Sequence, residues 1–123
     1  CRKNRIQVSI ISHKTQYPAV GEKYDLRHAA LKWLIDKKMV GNNGIARSNI
    51  YFEDNRKEKI NRIKAISCTH FIDDLTEVFD DAEFPPNVKK FLFSLEKGAL
   101  SDVDSGDWFD ALRWIRRDVE NEI

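Results

Sequence analysis

Apolar and polar positions along the chain fall into alternating strand-like and helix-like periods. Ile6-Gln7-Val8-Ser9-Ile10-Ile11 is β-branched and apolar and predicts a buried strand, ending at Ser12-His13-Lys14-Thr15. Pro18 and Gly21 punctuate the loop that follows. Leu26, Ala29, Ala30, Trp33 and Leu34 then recur at helical spacing, with Arg27, Lys32, Asp36 and Lys37 mostly on the other faces. With Asp25 as N-cap and Gly41-Asn42-Asn43-Gly44 as the stop, the pattern predicts a helix over 25–39.

Asn49-Ile50-Tyr51-Phe52-Glu53 predicts a second strand and Asp54-Asn55 a turn. A helix over 57–67 carries Ile60, Ile63 and Ile66 on one side, with Lys59, Arg62 and Lys64 elsewhere. Thr69-His70-Phe71-Ile72 reads as a short buried strand that runs into Asp73-Asp74, and a short helix covers 75–81. Pro85-Pro86 breaks the chain. A fourth strand spans 88–94, centred on Phe91-Leu92-Phe93. Asp107 caps a last helix whose stripe is Trp108, Ala111, Leu112, Ile115 and Val119. On these stripes Trp33 and Trp108 belong to the core, whereas Trp114 falls off and is free to meet a partner.

The order β-α-β-α-β-α-β-α, with near-continuous apolar strands, predicts an α/β fold: a doubly wound, mainly parallel sheet with helices on both faces. Ligands of such sheets bind off the carboxyl ends of the strands. Two places satisfy that rule, Ser12 onward and Asp73-Asp74.

Composition narrows the classes further. At 123 residues, 41% hydrophobic and 33% charged, the chain is sized for a single globular domain with a core. A net charge of +1 with interspersed signs gives no nucleic-acid footprint. No apolar run approaches the roughly 18 residues of a membrane span, and no signal peptide is evident. Cys1 and Cys68 are the only cysteines, too few for a disulfide framework, which fits a reducing, cytoplasmic setting. The sequence starts at Cys1 and passes almost directly into a strand pattern, so part of the domain is expected upstream.

Two adjacent carboxylates at the end of a buried strand repel each other and are costly to bury without a cation or hydrogen bonds. Asp74 has a structural reading as the N-cap of the next helix, with Glu77 completing a capping box. That reading does not account for Asp73. Oxygen-only carboxylate sites suit Mg²⁺, which takes one or two carboxylates plus waters and substrate phosphate. Ser12 could hold a phosphate oxygen or be an ordinary turn serine. Lys59 could neutralise phosphate or lie on a solvated helix face.

Other chemistry finds less support. His13, His28 and His70 show no zinc spacing. His13 beside Ser12 lacks the Gly-x-Ser-x-Gly elbow of a hydrolase. No phosphate-binding glycine loop occurs. Asp102-Val103-Asp104-Ser105-Gly106-Asp107 is acidic, but its glycine and Arg113 do not fit a calcium loop, so it reads as a polar loop and cap.

Hydroxyl, lysine and paired aspartates, in that order at element ends, resemble the haloacid dehalogenase-like (HAD) phosphohydrolase superfamily. Val8-Ser9-Ile10-Ile11-Ser12 is similar to its second motif, Lys59 (or Lys57) to its third, and Phe71-Ile72-Asp73-Asp74 to the acidic form of its fourth. The segments from Ser12 through Asp25-Leu26 to Trp33-Leu34, and from Thr69 to Phe79, also resemble a bacterial subgroup. The likeness spans about residues 6–95. It implies a HAD-like Rossmannoid core over 1–123, a Mg²⁺-dependent phosphatase acting on a phosphorylated small molecule. Ser12, His13 and Lys59 would bind phosphate, Asp73 and Asp74 would hold Mg²⁺, and Lys59, Asp73 and Asp74 would be catalytic.

The family's first motif, the nucleophilic Asp-x-Asp, is absent here. Its strand is central in the family's sheet, between those ending at Ser12 and Asp73. The domain is therefore expected to be incomplete as given. The first strand and any substrate-choosing cap would lie upstream, unless those two strands pair directly or another segment fills the gap. The alternative class is a non-catalytic HAD-like module for ligand binding or protein interaction. A receiver-type signalling domain fits worse, because its acidic pair belongs to the first strand.

Overall fold

The computed structural model describes residues 6–13, 25–41, 44–95 and 103–121. The loop expected around Pro18 and Gly21, Cys1, Lys14, Thr15, Tyr24, Asn42, Asn43 and Asp102 lie outside them. The described residues form a mixed α/β fold of short parallel strands and four α-helices, in two compact units, 1–63 and 64–123.

In the first unit, β1 (Ile10–His13) pairs in parallel with β2 (Ile50–Glu53), in the register Ile10↔Ile50 to His13↔Glu53. The predicted strand over 6–11 is thus displaced toward the C-terminus. Among the described residues Ile6 to Ser9 have no partner strand, since β2 begins at Ile50, opposite Ile10. Between the strands runs α1 (Leu26–Asp36), where the Asp25 carboxylate accepts from the His28 N–H at 2.9 Å, as an N-cap should.

The helix α1 ends three residues before its predicted limit. Lys38 takes the left-handed conformation at φ 58°, its N–H reaches the Ile35 carbonyl, and the Met39 N–H reaches the Leu34 carbonyl. That is a Schellman ending with lysine where glycine is usual. The chain then turns tightly onto Val40 and Ile45, and a Cβ at Gly44 would stand 2.3 Å from the Met39 carbonyl oxygen. A 3₁₀ turn, Arg47–Asn49, leads into β2.

The next helix, α2 (Arg56–Ala65), starts where the Asn55 side chain accepts from the Glu58 N–H at 2.8 Å. Ile60 and Ile63 are fully buried. Ile66 falls beyond the helix end and is half-buried.

In the second unit, β3 (His70–Asp73), β4 (Lys89–Phe93) and β5 (Asp104–Gly106) form a parallel sheet in that spatial order. Phe71 and Ile72 point to opposite faces, as neighbours on a strand must. Phe71 meets Phe79 and Phe84 at ring separations of 6.3 and 6.2 Å, so α3 (Thr76–Asp80) and the turn after it cover one face. Ile72 packs with Phe91, Ala111 and Trp114, so α4 (Trp108–Asn121) covers the other.

Two expectations fail here. The acidic stretch read as a loop contains β5, which pairs with β4 through Phe91↔Asp104 to Phe93↔Gly106. Pairing with an apolar central strand makes a strand of three residues that lack apolar character themselves. The tryptophans are also reversed. Trp114 is buried at 5% exposure, while Trp108 and Trp33 are 63% and 56% exposed. The inward face of α4 is Ala111, Trp114, Ile115, because β5 brings the helix down on Phe91, whose ring centroid lies 5.3 Å from that of Trp114. The Trp114 indole N–H donates to Asp104 at 3.1 Å. Asp107 does cap α4, accepting from the Asp110 N–H while Asp110 accepts from the Asp107 N–H, both at 3.0 Å.

Candidate acidic strand end

The strand β3 carries Asp73 at its carboxyl end, paired in register with Leu92. Asp73 is 8% exposed, a rare burial for a carboxylate. Its Oδ1 accepts from the Leu75 N–H at 3.0 Å, a local turn in which the side chain mimics backbone. The cap expected from Asp74 does not form. Leu75 occupies the N-cap position of α3 without a side-chain cap bond, and Asp74 is exposed. Asp73, not Asp74, makes the local side-chain-to-backbone bond, and Asp74 is exposed.

The other sequence-predicted residues belong to the first unit. Ser12 sits inside β1, opposite Phe52, and is half-buried. His13 ends that strand opposite Glu53 and is exposed. Lys59 is buried in the first turn of α2, whereas Lys57 is exposed. A solvated helix face is therefore the wrong description of Lys59 and the right one of Lys57. Neither of two surface grooves is lined by any of these five predicted residues. One groove, about 340 Å³, runs past Asp25, His28, Arg47 and Phe52 in the first unit. The other, about 570 Å³, lies beside α4 in the second.

Among the described residues no three His, Cys, Asp or Glu side chains converge as a metal cage. An all-protein calcium or zinc site is not formed there. The donor set at Asp73-Asp74 instead suits a cation that takes one or two carboxylates and completes its shell with water and phosphate, as Mg²⁺ does.

A polar cluster that the sequence did not announce lies at the amino ends of β3 and β4. Asp118 of α4 accepts from Lys89 at 2.7 Å and lies 2.5 Å from His70 Nε2, and His70 Nδ1 lies 2.9 Å from the Thr69 hydroxyl. The Lys89 hydrogen bond, then that of His70, holds the Asp118 carboxyl below its ordinary value. His70 also meets the Trp114 ring edge-on at 5.2 Å. Nearby, the Cys68 thiol donates to the His70 carbonyl at 2.9 Å, and burial pushes its pKa up, so it is not poised as a nucleophile. No spacing rule links His70 to Asp118, 48 positions apart.

A scan against protein-family models returns no match, and searches of curated proteins and of solved structures likewise return none. No helix among the described residues is long and apolar enough to cross a membrane.

Proposed function

We propose that this chain contributes to the core of a Mg²⁺-dependent phosphohydrolase of the HAD type, acting on a phosphorylated small molecule. The observation that carries the reading is Asp73, a carboxylate buried at the carboxyl end of a parallel strand and followed directly by the exposed Asp74. Parallel α/β units with helices on both faces of the second sheet are compatible with the doubly wound core the reading requires. The strand ending near Ser12 pairs in parallel with β2, and the strand ending at Asp73 pairs in parallel with β4.

In this reading Asp73 and Asp74 would hold Mg²⁺, which offsets negative charge on a transferring phosphoryl group when bound. The Ser12 hydroxyl, His13 and the Lys59 ammonium bind phosphate oxygens; the burial of Lys59 favours it over Lys57. The Leu75 N–H holds the Asp73 carboxylate in place through Oδ1. Among the described residues no strand ends in Asp-x-Asp, so this reading requires an aspartate nucleophile from elsewhere.

Mg²⁺ titration of the protein, followed by amide chemical shifts, tests the metal assignment. Shifts centred on Asp73, Asp74 and Leu75 are expected, saturating in the millimolar range, and Asp73→Asn should abolish them. Asparagine retains the oxygen that accepts from the Leu75 N–H, so the turn survives the substitution. Unchanged Mg²⁺ shifts in that variant would refute the assignment. The second reading is a non-catalytic module of the same fold, for ligand binding or protein interaction. No Mg²⁺ response in the unaltered protein would select it.

A further inference from the structure

The groove beside α4 shares no residue with the acidic strand end, and its chemistry is of the opposite kind. The groove is lined by the buried Phe91 and by three guanidiniums, Arg113, Arg116 and Arg117. Their spacing of three and four residues places them on adjacent turns of the helix. Two carboxylates face them, but both are engaged. Asp110 accepts from the Asp107 N–H and pairs with Arg113, and Asp104 accepts from the Trp114 indole through Oδ2. The Asp107 N–H, first, and Arg113 hold the Asp110 carboxyl below its ordinary value.

Arg116 and Arg117 are different. Both are exposed, and among the described residues neither forms a hydrogen bond or ion pair. The Ser105 hydroxyl in the same groove is likewise uncommitted among those residues. A guanidinium presents a planar fork of donors that matches the oxygens of a phosphate. Two such forks and a hydroxyl lining one groove form an anion receptor, and Asp104 Oδ1 beside them is an acceptor for a ligand hydroxyl. A groove of about 570 Å³ has the size of a small-molecule site rather than a macromolecular track.

We infer that the β5–α4 groove binds a small hydroxyl-bearing phosphate ester, with Arg116, Arg117 and Ser105 on the phosphate and Asp104 on a hydroxyl. The inference stands independently of the metal assignment at Asp73.

Calorimetric titration at low ionic strength with glucose 6-phosphate, inorganic phosphate and glucose separates the contributions. Saturable binding of the ester, weaker binding of phosphate and none of glucose are expected. Arg116→Gln and Arg117→Gln should each weaken ester binding about tenfold. Lys64→Gln removes one positive charge from the same unit, away from the groove, and should leave affinity unchanged. Asp104→Asn, which keeps an acceptor for the indole, should weaken the ester and not inorganic phosphate. An unaltered far-ultraviolet circular dichroism spectrum in each variant verifies the fold. No saturable ester binding, or equal losses in Lys64→Gln and Arg116→Gln, would overturn the assignment, the second by reducing it to net charge.

Discussion

Asp118 shows how much one side chain can tie together. It joins the last helix to the amino ends of two strands, through Lys89 and His70. Its carboxyl is held below the ordinary aspartate value of 3.8, so the folded state prefers it ionised. The stabilisation is therefore complete above that ordinary value and is lost as pH falls through the lowered one. Asp118→Asn should lower the urea midpoint at neutral pH, and the gap to the unaltered protein should close progressively in acid. A gap that stays constant from neutral pH to about pH 3 would show that the ion pairs do not govern it. Little of this was legible beforehand, because the three partners are remote in sequence. At Asp73 the opposite holds. The adjacent carboxylates and the apolar residues before them were visible at once. Which of the two would be buried followed from the strand's pleat, which puts Asp73 on the buried side with Phe71.

Helices and strands were legible in kind and order, and less so in their limits and faces. Asp25 and Asp107 cap the helices they were expected to cap, since capping is decided within one turn. The buried face of a helix is decided by what packs against it. On α4 the hydrophobic stripe included Trp108, yet the sheet receives Trp114. The two tryptophans make a direct comparison. Trp114→Ala should destabilise the protein by about 3–5 kcal/mol, with loss of a buried ring and of the indole bond to Asp104. Trp108→Ala, which removes only a partial stack on Phe93, should cost about 1 kcal/mol or less. Urea denaturation of both variants checks this, and equal losses would restore the sequence-derived stripe. The same dependence on a neighbour explains β1, which starts where β2 can pair with it, and β5, which exists because β4 has an edge to pair.

At the scale of the molecule, the two units differ in how they are buried. β4 has a partner on each side and carries Phe91 and Leu92, both buried, whereas among the described residues β1 has one partner and no buried residue. Native-state hydrogen exchange should therefore find the amides of β4 better protected than those of β1. The reverse order would mean that the first unit is the more stable. The functional proposals follow the same division. Asp73-Asp74 and the arginine groove both belong to the second unit, whereas the predicted phosphate contacts Ser12, His13 and Lys59 belong to the first. The chain order of the resemblance could be read from the sequence. The engagement of Asp104 and Asp110, which leaves Arg116 and Arg117 uncommitted, could not.

By itself the sequence determined the alternation of strands and helices, the caps at Asp25 and Asp107, and the acidic end of the third strand. These rest on residues within a few positions of one another, where periodicity and side-chain-to-backbone bonds act. Tertiary structure decided which residues of each strand find partners, which tryptophan enters the core, and which polar groups meet. Those outcomes turn on contacts between segments far apart in the chain. Pairing and packing there can override a local hydrophobic stripe, as Trp114 does to Trp108.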